Sequence, residues 1–169
     1  MLGPERKSRL LTQDEKKISA YHEAGHALVA ASMPHADPVH KISIVSRGRA
    51  AGYTLKLPTE DRHLYSRSHF LAELAVSLGG YVSEQVVFQE LTTGASDDLR
   101  KVTDLARSLV TRFGMSEKIG PVTFGEREEM VFLGREIATA KNYSEETARL
   151  IDQEVKRLID DAHKTAKEI

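Results

Sequence analysis

Two histidines four residues apart, with a glutamate beside the first, are the residues of this 169-residue sequence whose types and spacing can do chemistry: His22-Glu23-Ala24-Gly25-His26. On an α-helix, positions i and i+4 share a face, so both imidazoles can turn a ring nitrogen toward one ion. Glu23 can then reach a water held in an open coordination position. Zinc lowers the pKa of such a water to about 7, and a carboxylate beside it takes the proton as the hydroxide attacks a peptide carbonyl. The competing reading is a chance pattern of common residues, with the histidines simply buried or solvated.

The chemistry requires a helix, and the flanking residues predict one. Thr12-Gln13-Asp14-Glu15 reads as a capping box, with Thr12 as N-cap and Glu15 reaching back to the cap amide. Apolar or small residues recur at Ile18, Tyr21, Gly25, Leu28, Val29 and Ser32 until Pro34 ends the pattern. Ala24, Gly25, Ala27 and Ala30 keep the helix thin enough for another backbone to approach.

A β segment follows. His40 to Val45 alternates apolar and polar residues, Arg47-Gly48-Arg49 reads as a turn, and Ala51 to Leu57 forms a second strand before Pro58. The edge of such a ribbon could pair with an extended peptide, or the ribbon could be a plain structural hairpin. From Ser66 to Phe88 the pattern is helical, with Leu71, Leu74, Ala75, Leu78, Val82 and Val86 on one face. Its Gly79-Gly80 pair marks close packing against the thin helix.

Two histidines leave a catalytic zinc site one protein ligand short. Val29 and Ser32 stand where a metzincin would need glycine and a third histidine, which excludes that class. His63 and His69 fall in a polar stretch and read as solvated. Glu84, one helical turn beyond Gly80, is either an exposed charge or a carboxylate near the metal, as ligand or as partner of a histidine N–H. Thr92 to Leu99 reads as a small-residue loop entering a helix, with Ser96 as N-cap and Asp97 and Asp98 in its first turn. Helix dipoles alone favour aspartates there, yet one of them could serve the metal.

Composition narrows the function classes. A formal net charge of -1 and the lack of a basic stripe argue against nucleic-acid binding. The absence of cysteine leaves only histidine and carboxylate as metal ligands. No apolar run reaches the roughly 20 residues of a membrane span, and Met1 to Arg9 carries charges where a signal peptide needs an apolar core, so the chain as given is expected to be soluble. At 40% hydrophobic residues it can bury a core of its own.

The sequence resembles the peptidase domain of the FtsH family, membrane-bound ATP-dependent zinc metalloproteases. The likeness runs through Gly3 to Arg9, Ala20-Tyr21-His22-Glu23-Ala24-Gly25-His26-Ala27, Gly52-Tyr53-Thr54, Thr92 to Leu99 and Phe113-Gly114-Met115-Ser116-Glu117. It continues through Leu133-Gly134-Arg135-Glu136 and Asn142-Tyr143-Ser144-Glu145-Glu146-Thr147. The resemblance implies His22, His26 and Asp98 as ligands of one Zn2+ per chain, Glu23 as general base, and Glu84 behind the ligands. It departs from the family pattern at Asp97, where asparagine is usual, and at Tyr81-Val82-Ser83, where Arg-Ala-Ala is commoner.

The fold it implies is mainly α: a helical zincin-type metalloprotease domain with a small β ribbon beside the active-site helix. Residues 1–11 are expected to be a linker from an absent ATPase module. Residues 12–169 are expected to be the zinc metallopeptidase domain, truncated at its C-terminus. There a helix capped by Ser144 carries Ile151, Val155, Leu158 and Ile159 toward its own core or toward neighbouring subunits. The implied partners are unfolded polypeptide substrates, a homo-hexamer, and the AAA ATPase module and membrane helices of a full-length chain, which alone would use ATP. The implied location is at a membrane, with this domain on the cytoplasmic side in bacteria or inside an organelle. Two rivals stay open: a catalytically silent assembly module, and another zincin with Glu84 as third ligand.

Overall fold

A computed structural model of the chain describes residues 12–45, 52–57, 63–127 and 140–169. Helix α1, Gln13–Ser32, begins at the expected capping box: Glu15 N–H donates to Thr12 Oγ1 at 3.1 Å, and Thr12 N–H donates to Glu15 Oε2 at 2.7 Å. Two amides that a helix start would leave without partners are thereby satisfied. The helix ends at Met33, whose extended backbone leads into Pro34.

The inward face of α1 is only partly the one the apolar period suggests: Gly25 and Val29 of that period are buried. Tyr21 and Leu28 are exposed, at 43% and 56%, whereas His22, Glu23, His26, Val29 and Ala30 are buried. Apolar periodicity locates a helix facing an oily core. Here three of the eight buried residues, His22, Glu23 and His26, are ionisable, and that displaces the apparent face.

Strands β1, Val39–Ser43, and β2, Tyr53–Lys56, pair antiparallel with Ile42 opposite Thr54 and Ser43 opposite Tyr53. The register shifts between Val39 and Lys41, and the two strands form a complete sheet among the described residues. Both strands lie against α1. The expected turn Arg47-Gly48-Arg49, Ala51, the segment 1–11 and the Leu133-Gly134-Arg135-Glu136 motif lie outside the described residues.

Helix α2, Arg67–Phe88, starts at Ser66, whose Oγ accepts the His69 N–H at 3.1 Å, and ends at Gln89 in the left-handed region, φ 54°. Leu74, Ala75, Leu78 and Val82 are buried as expected and Leu71 is partly so. Val86, expected on the same face, is 56% exposed. His69, expected in solvent, is buried, with Nδ1 3.0 Å from the His35 carbonyl oxygen, while His63 is exposed.

The glycines set the approach of α1 to α2. A Cβ built on Gly79 would lie 2.6 Å from the Gly25 carbonyl oxygen, and one on Gly25 would strike the Gly79 carbonyl oxygen. Backbone-to-backbone contact this close has no side chain to yield. Gly79→Ala is therefore expected to destabilise the fold by about 1–3 kcal/mol, readable as a lower thermal midpoint and a lower urea midpoint.

A 3-10 turn, Thr93–Ala95, leads into α3, Ser96–Thr111. Ser96 is thus the first helical residue rather than the N-cap, a position held by Ala95 without a side-chain bond; Thr92 Oγ1 instead accepts Gly94 N–H at 3.1 Å. A short ribbon absent from the sequence reading pairs β3, Glu126–Arg127, with β4, Ala140–Lys141.

Helix α4, Glu145–Glu168, is capped by Ser144 as expected. Its Ile151, Val155 and Leu158 are buried against α2 and α3 together with Leu78, Val102 and Leu109, and Ile159 is partly buried, so this stripe faces the domain's own core. Glu154, fully buried, accepts bonds from Ser116 Oγ at 2.8 Å and from Arg157 at 2.8 Å. The Arg157 guanidinium, aided by Ser116, outweighs the effect of burial and holds this carboxyl below its ordinary range.

Candidate metal centre

Three side chains from two helices converge on one point. From α1 come His22 and His26, one turn apart, and from the first turn of α3 comes Asp98. His22 Nε2 lies 3.1 Å from His26 Nε2 and 3.1 Å from Asp98 Oδ2, and His26 Nε2 lies 3.4 Å from Asp98 Oδ2. These separations match the roughly 3.3 Å between ligand atoms about 2.0 Å from a tetrahedral zinc. The structure brings together His22, His26 and Asp98, the three residues expected to share one ion. Asp97 instead points its carboxylate to Arg100 at 3.1 Å and is 70% exposed.

The outer contacts fix what the three atoms offer. His26 Nδ1 lies 2.7 Å from the Val76 carbonyl oxygen, which can only accept, so Nδ1 carries the proton and Nε2 the lone pair. His22 Nδ1 lies 2.7 Å from Glu84 Oε1 and donates in the same way. Two lone pairs and a carboxylate oxygen therefore face one another within hydrogen-bond distance, an arrangement that is repulsive until a cation enters.

Protonation answers the same demand when no metal is bound. Burial alone would lower the His22 pKa, but the Asp98 and Glu84 carboxylates outweigh it and hold it above the ordinary 6.5. For Asp98, burial pushes upward, yet hydrogen bonds from His22 and His26 and the charge of Lys101, 3.0 Å away, hold it well below the usual carboxylate range. The raised His22 value means that its protonated form stabilises the metal-free domain fully below pH 6.5 and loses this as pH rises through the folded value. Zinc needs the neutral imidazole. The rise in thermal midpoint on adding zinc is thus expected to grow as pH rises from about 6.5 through the raised His22 value, as differential scanning fluorimetry would show.

Glu84, 1% exposed, touches the outer nitrogen of His22, Nδ1, rather than the converging atoms, and its second oxygen accepts the Thr92 N–H at 2.8 Å. It thereby links the α1 histidine to the loop that brings in Asp98. Gly80 is required beside it, since a Cβ there would sit 2.5 Å from the His22 ring. Glu23 is buried, and its Oε2 accepts from Thr54 Oγ1 on β2 at 2.8 Å. The sequence reading missed Thr54 and the Thr92 amide; the signal for Thr54 was its place in Gly52-Tyr53-Thr54, without any sign of its partner.

A second group, Asp37, His69 and Glu73, also brings ligand-type atoms within 4.8 Å. Lys56 Nζ lies 2.6 Å from each Glu73 oxygen, so an ammonium already answers that carboxylate.

A sequence profile of Peptidase family M41 matches residues 9–169. The chain is 60% identical over 167 residues to "ATP-dependent zinc metalloprotease FtsH 1" of Thermomicrobium roseum, covering 99% of this chain and 26% of that protein. It is 58% identical to the protein of the same name from Sphaerobacter thermophilus, with the same coverage, and 50% identical over 169 residues to "ATP-dependent zinc metalloprotease FtsH" of Caldicellulosiruptor bescii, covering 100% and 27%. The chain spans about a quarter of the length of these relatives. With the profile match spanning nearly the whole sequence, the chain belongs to Peptidase family M41.

Proposed function

We propose that residues 12–169 are the zinc endopeptidase domain of an ATP-dependent, membrane-anchored protease that degrades unfolded or misfolded proteins. The observation that carries this reading is the convergence of two imidazole lone pairs and the Asp98 carboxylate at zinc-ligand spacing, with Glu23 beside them on the buried face of α1. Family membership and the printed names of the relatives support zinc and peptide hydrolysis.

His22 and His26 would hold the metal through Nε2 and Asp98 through Oδ2. Zinc held there would polarise a peptide carbonyl and lower the pKa of a bound water to about 7. Glu84 and the Val76 carbonyl keep both imidazoles in the Nδ1–H tautomer. Glu23 takes the proton of the attacking water and delivers it to the leaving amine. β2, which has a strand neighbour on one side only among the described residues, receives the extended substrate by main-chain pairing along its other edge.

The rest of the protein enters by family resemblance. Residues 1–11 would lead from an AAA ATPase module that feeds unfolded chains, the peptidase domains would assemble as homo-hexamers, and membrane helices would anchor the protein, with this domain on the cytoplasmic side in bacteria or inside an organelle. No helix among the described residues is long and apolar enough to cross a membrane.

Casein digestion tests the reading: cleavage is expected to stop with a chelator and return with zinc. Cleavage indifferent to the chelator would overturn it. Zinc must be the metal added, because a site of imidazole and carboxylate binds nickel or copper avidly as well.

A further inference from the structure

Glu23 leaves α1 on the buried face, but the helix fixes only its Cα and Cβ; the carboxylate still has three torsions to settle. Strand β2 settles them. Thr54 Oγ1 lies 2.8 Å from Glu23 Oε2 and 3.0 Å from the Glu23 carbonyl oxygen, so one hydroxyl proton is shared between the side chain and the backbone of a single residue. Gly52, two residues earlier, presses on the same side chain: a Cβ there would lie 2.8 Å from Glu23 Cγ and 2.9 Å from Ser19 Oγ. Glu23 is thus enclosed between its own helix and this strand.

We infer that Thr54 is a positioning residue for the general base, and that it joins peptide docking to the aim of that base. The inference rests on the proposed roles of Glu23 and of the β2 edge. With Oε2 held by the hydroxyl, proton acceptance falls to Oε1, and the carboxylate cannot swing away from the metal centre without breaking the Thr54 bond. A peptide paired along the outer edge of β2 would lie on the strand that holds the base. Any shift of β2 on docking is then passed to Glu23 through Oγ1. Gly52 is what allows the strand to come this close.

The structural alternative is that Thr54 merely ties β2 to the α1 backbone through the Glu23 carbonyl. Thr54→Val, Thr54→Ser and Glu23→Gln in the zinc-loaded, full natural chain separate the two. The readouts are kcat and KM on an unstructured fluorogenic peptide, zinc per chain, and the affinity of a zinc-chelating peptide hydroxamate, which also hydrogen-bonds the base.

Thr54→Val keeps the β-branched shape and removes the donor. It is expected to lower kcat about tenfold, leaving KM and zinc content within about twofold, and Thr54→Ser to restore kcat to within about threefold. Thr54→Val should also weaken hydroxamate binding in the wild-type background and leave it unchanged in a Glu23→Ala background, where no side-chain acceptor for the hydroxyl is left. Wild-type kcat in Thr54→Val would overturn the inference. So would a loss that serine does not restore, a loss of zinc, or a hydroxamate effect that persists without the Glu23 carboxylate. An inactive Glu23→Gln beside a fully active Thr54→Val removes only the role of Thr54, whereas an active Glu23→Gln removes the base assignment itself.

Discussion

Glu23→Gln is expected to cut peptide hydrolysis by about 10²- to 10⁴-fold, the usual worth of a positioned general base, while zinc stays at one per chain. The substitution is nearly isosteric, and the amide oxygen can still accept the Thr54 hydroxyl that Oε2 accepts at 2.8 Å. The amide cannot take a proton from water. His22, His26 and Asp98 are not in its path, so their mutual separations of 3.1 to 3.4 Å should persist. Paired measurements of kcat/KM and metal content read both halves of the expectation. Cleavage within a few-fold of wild type would remove Glu23 from the mechanism, and loss of zinc would show that it holds the metal.

Asp98→Ala and Glu84→Ala are expected to differ sharply in zinc affinity. Removing Asp98 deletes one of three converging donors and leaves two imidazoles, so zinc should be released outright to a competing chelator. Removing Glu84 leaves the triangle intact but frees the His22 ring from its 2.7 Å bond, a change that weakens metal sites about 10- to 100-fold. Glu84→Ala also strips the Thr92 amide of its side-chain acceptor, so the loop before Asp98 loses one tie to α2. Chelator-competition titrations separate the two variants. The reverse order, with Glu84→Ala losing zinc and Asp98→Ala keeping it, would make Glu84 the ligand.

The sequence made the helices legible because their signals are local. Thr12 with Glu15 and Ser144 announce helix starts and cap the helices expected of them, and Ser66, where the helical pattern begins, caps α2. Gly79 could be read as a close-packing residue because glycine inside a helix has few other uses, and its contact with Gly25 bears that out. His22 and His26 needed only the helical period to be placed on one face.

What stayed hidden depends on contacts distant in sequence. Asp97 and Asp98 are equivalent by residue type, and which of them faces the histidines depends on the 3-10 turn that sets the phase of α3. Glu84, one turn beyond Gly80, could be read as a surface charge, a ligand or the partner of a histidine N–H, and only its bond to His22, 62 positions away, decides among these. His69 reads as solvated because its flanks are polar, yet the His35 carbonyl meets it and buries it. Of the periodic set on α1, Gly25 and Val29 are buried but Tyr21 and Leu28 are exposed, because the ionisable His22, Glu23 and His26 share the inward face.

The most direct test of the central claim is anomalous diffraction at the zinc absorption edge from crystals of the protein loaded with one equivalent of zinc. The account predicts a single peak bounded by His22 Nε2, His26 Nε2 and Asp98 Oδ2, with Glu84 bonded to His22 and outside the coordination sphere. A peak coordinated by Glu84 in place of Asp98, or no peak at the two histidines, would contradict it.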